Sequence, residues 1–146
     1  MNFERIIFIR ESLDMSQREL ADKLNVSKST YARWETGERI IPLEHLVDLC
    51  NLAKISLDYA FSISNNRKEL YNKIVINKKI IGNNLKKLRL SKNYSQEQMA
   101  ELLNTSQSVV SKFENGITLI QTAFLYDICN KFNTSADVIV KSSREN

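Results

Sequence analysis

The sequence predicts an all-α protein made of two tandem five-helix domains. The 146 residues include only three Gly and one Pro, so few residues interrupt helices. A shift of 79 residues aligns Ile7–Phe61 with Lys86–Val140 without a gap, and 18 of the 55 aligned pairs are identical. We call these stretches the first repeat and the second repeat. An ungapped match of this length indicates a duplicated domain.

The composition is typical of a soluble globular protein, with 42% hydrophobic and 26% charged residues. Cys50 and Cys129 occupy the same place in the two repeats, which favours two equivalent core positions over a disulfide between them. His45 is the only histidine and no C-x-x-C is present, so we expect neither a metal nor a cofactor. No signal peptide and no apolar stretch of about 20 residues is seen, so we expect a cytoplasmic protein.

The first two helices of the first repeat follow from periodicity and capping. A helix from about Phe3 to Leu13 places Ile6, Ile9 and Leu13 on one face. "SQRE", which begins at Ser16, is a capping box that starts a second helix of about two turns, and "SQEQ" repeats it in the second repeat. The inward positions of that second helix are Leu20, Ala21 and Leu24. Asn25 follows, and Asn tolerates the left-handed conformation that a tight turn needs.

Three more helices complete the first repeat. Ser27 caps a helix that runs to Glu35 and stops at Gly37. Pro42 opens a fourth helix, and Ser56 caps a short fifth one. The inward side chains of these last two helices are Leu46, Leu49, Cys50, Leu57 and Phe61.

The second and third helices form a helix-turn-helix, with small Ala21 where they cross. Tyr31 and Trp34 are expected to face the core, as are Val110 and Phe113 in the second repeat. The outer faces then hold only small, amide and cationic side chains, which suits a DNA groove: Ser27, Lys28, Ser29, Ala32 and Arg33, and Ser106, Gln107, Ser108, Ser111 and Lys112. A solvated helix is often rich in Ser and Lys, so one copy alone would be ambiguous. The same pattern in both copies favours DNA.

"MSQRELADKLNVSKSTYARWETGERIIP" and "YSQEQMAELLNTSQSVVSKFENG" resemble the helix-turn-helix of the Cro and lambda-repressor-like family. The resemblance covers both repeats. It implies a structural ion pair from the first helix to the third in each repeat, Arg10 with Glu35 and Arg89 with Glu114. It also implies that Gln17 and Gln96 touch phosphate and brace the recognition helix. The base-reading positions it implies are Lys28, Ser29 and Arg33 in the first repeat, and Gln107, Ser108 and Lys112 in the second.

Side-chain chemistry refines these site residues. Gln107 suits adenine, whereas Lys28 and Arg33 suit guanine, so we expect two different half-sites. Ser27 and Ser106 lie at helix N-termini and suit phosphates. Double-stranded DNA is therefore the predicted partner, and a transcriptional regulator, most simply a repressor, is the leading function.

Two other classes of function are alternatives to DNA regulation. The first is a protein-binding adaptor, antitoxin or inhibitor whose DNA binding is only autoregulatory. An enzyme is not expected, because no catalytic constellation and no Gly-rich phosphate loop is present.

Charge differs between the repeats. Residues 1–64 carry eight Lys and Arg against ten Asp and Glu, whereas residues 85–146 carry eight against six. The segment 65–84 carries five against one. Because phosphate attraction sets most non-specific affinity, we expect the second repeat and the linker to bind DNA more strongly than the first repeat.

We expect domains at residues 1–64 and 79–146, joined by a helical linker at residues 65–78. The linker's apolar stripe, Leu70, Tyr71, Ile74 and Val75, would cover Ile7 and Phe8. Ser62 to Lys78 is 17 residues, which is roughly 26 Å as a helix or about 56 Å extended. Adjacent half-sites lie about 34 Å apart, so one chain would span both as a pseudo-dimer.

Apolar residues at unmatched positions suggest a partner surface. His45 and Val47 of the first repeat become Phe124 and Tyr126 in the second, where an apolar patch results. His45 itself is expected at the surface. Phe124 and Tyr126 are therefore the candidate patch for a homodimer, and a protein antagonist is a further possible partner.

Overall fold

The computed structural model describes residues 3–67 and 72–141, and these contain ten α-helices in two compact units, Met1–Ile74 and Val75–Asn146. The all-α prediction of five helices per unit is confirmed. The helices of the first unit are α1 (Glu4–Ser12), α2 (Gln17–Lys23), α3 (Lys28–Thr36), α4 (Leu43–Ala53) and α5 (Leu57–Ala60). Those of the second unit are α6 (Lys78–Ser91), α7 (Gln96–Leu102), α8 (Gln107–Glu114), α9 (Thr122–Phe132) and α10 (Ala136–Val140).

The predicted caps define the helix starts. Ser16 and Ser95 each accept a hydrogen bond from the backbone N–H three residues on, and Glu19 and Gln98 complete the two capping boxes. Ser27 caps α3 through the Thr30 N–H. Because each cap satisfies N–H groups that a helix leaves unpaired, these short helices begin at defined residues.

Left-handed residues close the turns at matching places. Asn25 and Asn104 have φ of 57° and 54°, so the turn between the second and third helices is the same in both repeats. Gly37 ends α3 with φ of 78°. The turns therefore hold the recognition helices α3 and α8 at defined positions.

Each unit has its own apolar core. Tyr31 and Trp34 are buried in the first unit, and Val110 and Phe113 in the second, as predicted. Cys50 and Cys129 are both buried and are not joined by a disulfide. Burying these side chains orients the opposite faces of α3 and α8 outward.

The helix α6 is longer than its counterpart α1 and packs closely on α8. Gly82 lies where α6 meets the end of α8, and a Cβ there would stand 2.3 Å from the Phe113 carbonyl oxygen. A glycine is therefore needed for this approach. In the first repeat the aligned residue is Phe3, whose ring instead lies over Gly37.

The predicted linker helix is wrong for the residues that the structure describes. Residues 64–67 and 72–77 are not helical, and α6 begins only at Lys78. Leu70 and Tyr71 lie outside the described residues. Ile74 is buried in the first unit, whereas Val75 is exposed, so these two residues do not form one apolar stripe.

The predicted apolar patches need correction. Phe8 is 65% exposed, so the described part of the linker does not cover it. Val47 is buried, and the half-buried ring of His45 stacks on Trp34 at 5.2 Å between centroids. Phe124 and Tyr126 are only half-buried, and Phe124 packs against Phe113 at 5.7 Å. The aligned rings His45 and Phe124 thus both pack on the third helix of their repeat.

Candidate nucleic-acid interface

The candidate interface is built on the pairs α2–α3 and α7–α8. Ala21 and Ala100 are buried between the helices of each pair. A larger side chain at either position would push the recognition helix away from its partner. The small residue therefore positions the outer face that carries the predicted base-reading side chains.

The recognition helix α3 presents the predicted face of the first repeat. Ser27, Lys28 and Ser29 are exposed at its N-terminus, while Arg33 is half-buried one turn further along. The Ser27 hydroxyl accepts from the Thr30 N–H and donates to Thr30 Oγ1. Within the described residues the Lys28 ammonium makes no hydrogen bond or ion pair, which leaves a mobile point charge.

The recognition helix α8 presents the matching face of the second repeat. Ser106 caps it, accepting from the Val109 N–H. Gln107, Ser108 and Lys112 are exposed, so the structure brings these predicted residues to one surface. Glu97 of α7 is also exposed. The cationic and amide groups of α8 itself nevertheless stand on a face without a carboxylate.

A buried ion pair ties α8 to α6. Arg89 donates through Nε and Nη2 to the two carboxylate oxygens of Glu114, at 2.7 and 2.9 Å, and its Nη1 donates to the Tyr94 carbonyl at 2.7 Å. Both side chains are more than nine-tenths buried. The two-pronged geometry fixes the orientation of the carboxylate, which confirms the predicted structural role of Arg89.

The ion pair continues outward to the predicted base reader. Gln96 Nε2 donates to Glu114 Oε1 at 3.3 Å, and Gln107 Nε2 donates to Gln96 Oε1 at 2.8 Å. The Gln96 amide is thereby oriented with its oxygen toward Gln107. One N–H and the oxygen of the Gln107 amide have no partner among the described residues.

The first repeat has the equivalent ion pair and glutamine, and we call this set the frame of each repeat. Its hydrogen bonds do not extend to the outermost side chain. Arg10 donates through Nε to Glu35 at 2.6 Å, and Gln17 Nε2 donates to Glu35 Oε2 at 2.7 Å. Gln17 thus braces α3, although Lys28 is not bonded to it. Burial acts to raise the pKa of Glu35, but the hydrogen bonds from Arg10 and Gln17 outweigh it, and the pKa lies below its usual value.

One acidic residue beside the first interface was missed by sequence reasoning. Glu38 lies one residue beyond Gly37, and its Oε1 stands 3.8 Å from Arg33 Nε. Only residues on the helix itself were predicted to form the face. The available signal was that Arg33 and Glu38 are five residues apart, with the turn at Gly37 between them, so the chain brings Glu38 back toward Arg33. The Glu38 carboxylate offsets part of the positive charge that Arg33 brings.

The first turn of α6 adds a cation to the second repeat. Lys79, in the first turn of α6, lies against Gly116, where an added Cβ would be 2.8 Å from Lys79 Cγ. Gly116 lies two residues beyond Glu114, the last residue of α8, so this exposed lysine stands beside the end of the recognition helix. The extra N-terminal turn of α6 therefore increases the positive charge of the second interface.

Comparison with known proteins identifies this arrangement. Residues 6–59 and 85–139, together more than half of the chain, match the helix-turn-helix family. Antitoxin PezA of Streptococcus pneumoniae is 36% identical over 56 residues, which is 38% of this chain and 35% of PezA. The cryptic phage CTXphi transcriptional repressor RstR of Vibrio cholerae is 31% identical over 55 residues, 38% of this chain and 49% of RstR.

A further relative is the uncharacterized HTH-type transcriptional regulator YobD of Bacillus subtilis, 30% identical over 64 residues, 44% of this chain and 57% of YobD. The chain therefore spans between about a third and just over half of these curated relatives. Each match is about as long as one repeat. The resemblance to Cro and lambda-repressor-like helix-turn-helix domains is confirmed, and the chain belongs to the helix-turn-helix family, whose domain it carries twice in tandem.

Proposed function

We propose that the chain is a sequence-specific, double-stranded DNA-binding transcriptional regulator that reads the major groove with α3 and α8. Occupancy of a promoter-proximal operator would make it a repressor. The observation that carries this proposal is the Gln107 amide, which the Gln96 bond holds at the surface of α8. Its remaining N–H and oxygen are the pair that matches N7 and N6 of adenine.

The first repeat is proposed to read a different half-site. Lys28 and Arg33 carry donors only, which match the O6 and N7 acceptors of guanine. Ser29 and Ser108 occupy the next outward position on each helix. Ser27, Ser106, Gln17 and Gln96 stand near the helix N-termini and are proposed to contact phosphates. Two unlike reading faces imply an operator with two unlike halves.

A binding titration tests the proposal. The protein is titrated against its own upstream DNA and against scrambled DNA at several salt concentrations. We expect a preference for the upstream DNA and a linear fall of log K with log salt, with a slope of roughly −0.9 for each phosphate contact. Equal affinity for both DNAs would contradict sequence-specific reading, and a flat salt dependence would contradict phosphate contact.

A protein-binding role is the second candidate, and it is favoured by the charge of the first repeat. Residues 1–64 carry more acidic than basic residues, and Glu38 stands beside Arg33. In this alternative the first repeat holds a protein antagonist while the second binds DNA for autoregulation. A second unit, made as residues 75–146, that binds the operator as tightly as the whole chain would favour it.

Homodimerisation is proposed through a smaller patch than the Phe124 and Tyr126 surface that the sequence indicated. Phe124 packs against the core, so Tyr126 is the better probe of this patch. Size-exclusion chromatography with light scattering on the whole chain and on Tyr126→Ser tests it. A dimer that Tyr126→Ser dissociates supports the proposal, and equal masses contradict it.

A cytoplasmic location is proposed from the DNA-binding role. Within residues 3–67 and 72–141, no helix has the length and apolar character needed to cross a bilayer.

A further inference from the structure

A single asparagine holds the segment after the first repeat to α4. Asn51 Oδ1 accepts the Ile74 N–H at 2.8 Å, and Asn51 Nδ2 donates to the Ile74 carbonyl at 2.9 Å. The Ile74 side chain is 8% exposed. One side chain thus satisfies both backbone polar groups of Ile74, as a neighbouring strand would. We call this pair of bonds the Asn51 clasp.

The clasp is not part of the duplicated frame. Asn130 is the residue aligned with Asn51, and it occupies the same place in α9. Asn130 is exposed and makes no such bonds to any described residue. The same amino acid therefore supports different contacts in the two repeats, and of the two asparagines Asn51 is the one bonded to the connection between them.

The clasp shortens the connection between the two units. Only residues 75–77 separate Ile74 from the first residue of α6, Lys78. Four Cα–Cα steps reach roughly 14 Å at most. Arg67 is held to α1 by its own bond to Ser12, so opening the clasp alone would leave eleven steps from Arg67 to Lys78, which reach about 36 Å if extended.

We propose that the Asn51 clasp sets which spacing between two DNA half-sites a single chain accepts. The inference rests on the proposed function, because it requires that both repeats bind DNA. A short tether gives a high effective concentration for the second contact at the spacings it reaches, and almost none elsewhere. Opening the clasp lengthens the tether, which lowers affinity at the preferred spacing and permits others.

The test compares Asn51→Ala with Asn130→Ala, which removes the same amide from the aligned position. Affinities are measured for DNAs whose two half-sites are separated by increasing numbers of base pairs. We expect wild type and Asn130→Ala to share one sharp optimum. In Asn51→Ala, the ratio of affinity at that optimum to affinity half a helical turn away should fall roughly ten-fold. Affinity for an isolated half-site should stay the same in all three proteins.

Amide hydrogen exchange at Ile74, followed by NMR, shows without DNA whether the Ile74 N–H is held by the clasp. We expect Ile74 exchange to accelerate at least ten-fold in Asn51→Ala but not in Asn130→Ala. Unchanged exchange, or an unchanged spacing optimum in Asn51→Ala, would overturn the inference. If wild type bound no DNA while Ile74 still lost protection in Asn51→Ala, the proposed function would fail and the clasp itself would stand.

Discussion

The two repeats share one frame but differ in whether its hydrogen bonds reach the outward-facing side chains. In the second repeat, bonds run without a break from Arg89 through Glu114 and Gln96 to Gln107. In the first repeat they stop at Gln17, and Lys28 lies beyond them. The duplicated ion pair therefore fixes each helix, while the residue at one position decides whether the outermost group is held in place or left mobile.

This difference indicates that the two repeats contribute differently to specificity and to affinity. A neutral amide held by a hydrogen bond is suited to discriminating one base pair, because its donor and acceptor are already oriented. The Lys28 ammonium can still donate to O6 and N7 of guanine, but its donors are not oriented beforehand, so we expect it to discriminate less sharply while its charge adds salt-dependent affinity. We therefore expect the second repeat to contribute more specificity per contact, and the first to contribute salt-dependent affinity through Lys28.

The largest expected effect comes from breaking the frame. Removing one partner of a buried ion pair typically costs about 3–5 kcal/mol, since the other charge is left unpaired. The Arg89 side chain is 8% exposed and that of Arg10 is 16% exposed, so Arg89→Ala should destabilise its unit more than Arg10→Ala. Urea unfolding checks this, because Trp34 is the only tryptophan and its fluorescence reports the first unit alone.

Far-UV circular dichroism then follows both units together. Arg10→Ala should shift the Trp34 transition, whereas Arg89→Ala should shift only the circular dichroism. Arg18→Ala, at an exposed position of α2, is the control, with an expected change within about 0.5 kcal/mol. A larger loss for Arg10→Ala than for Arg89→Ala would contradict the ranking of the two frames.

The next largest effects distinguish base discrimination by Gln107 from charge neutralisation by Lys28. Gln107→Ala should relax preference at one base pair by about 1–3 kcal/mol and leave the salt slope unchanged, because the amide is neutral. Lys28→Ala should reduce the magnitude of the salt slope by about one contact. Anisotropy titrations over single-base operator variants and a salt series measure both. A uniform loss of affinity for every sequence in Gln107→Ala would rule out base reading.

A smaller effect is expected from Glu38, which has no acidic equivalent in the second repeat because Ile117 is aligned with it. Glu38→Gln should strengthen DNA binding up to about five-fold, because exposed ion pairs such as Arg33–Glu38 contribute no more than about 1 kcal/mol. Glu44→Gln, which removes an exposed carboxylate from α4, is the matched control. Equal gains from both variants would show that net charge alone is responsible.

The smallest effect concerns pH. The pKa of Glu35 is lower in the folded protein than its usual value, so its contribution to stability is present above that usual value. The contribution is lost as pH falls from that usual value through the lower pKa of the folded protein. The Trp34 transition should therefore shift with acid in wild type and shift less in Glu35→Gln. Parallel acid titrations of the two proteins would contradict this assignment.

Local signals in the sequence were sufficient for the frame. Capping serines, the left-handed Asn25 and Gly37, and the periodic apolar residues each act within a few positions along the chain. The ion pairs followed from the family resemblance together with the repeat. These features were predicted because short-range geometry, repeated twice, determines them.

Contacts between distant residues were not predicted. The spacing of Ile74 and its apolar neighbours is typical of a helix. Asn51, 23 residues earlier, instead bonds the N–H and carbonyl of Ile74, which holds this segment in a non-helical conformation. Val47 is buried, and the ring of His45 lies against Trp34 of the third helix. Glu38 reaches back around the end of α3. In each case a tertiary contact overrides the local pattern, and periodicity alone carries no information about it.

The central claim is that both recognition helices read bases, and that they read different ones. Selection of bound DNA from a random pool, with wild type and with Gln107→Ala, tests it most directly. We predict two unlike half-sites for wild type, and for Gln107→Ala the loss of preference at one base pair in one half-site only. A single enriched half-site for wild type, or two identical ones, would contradict the account.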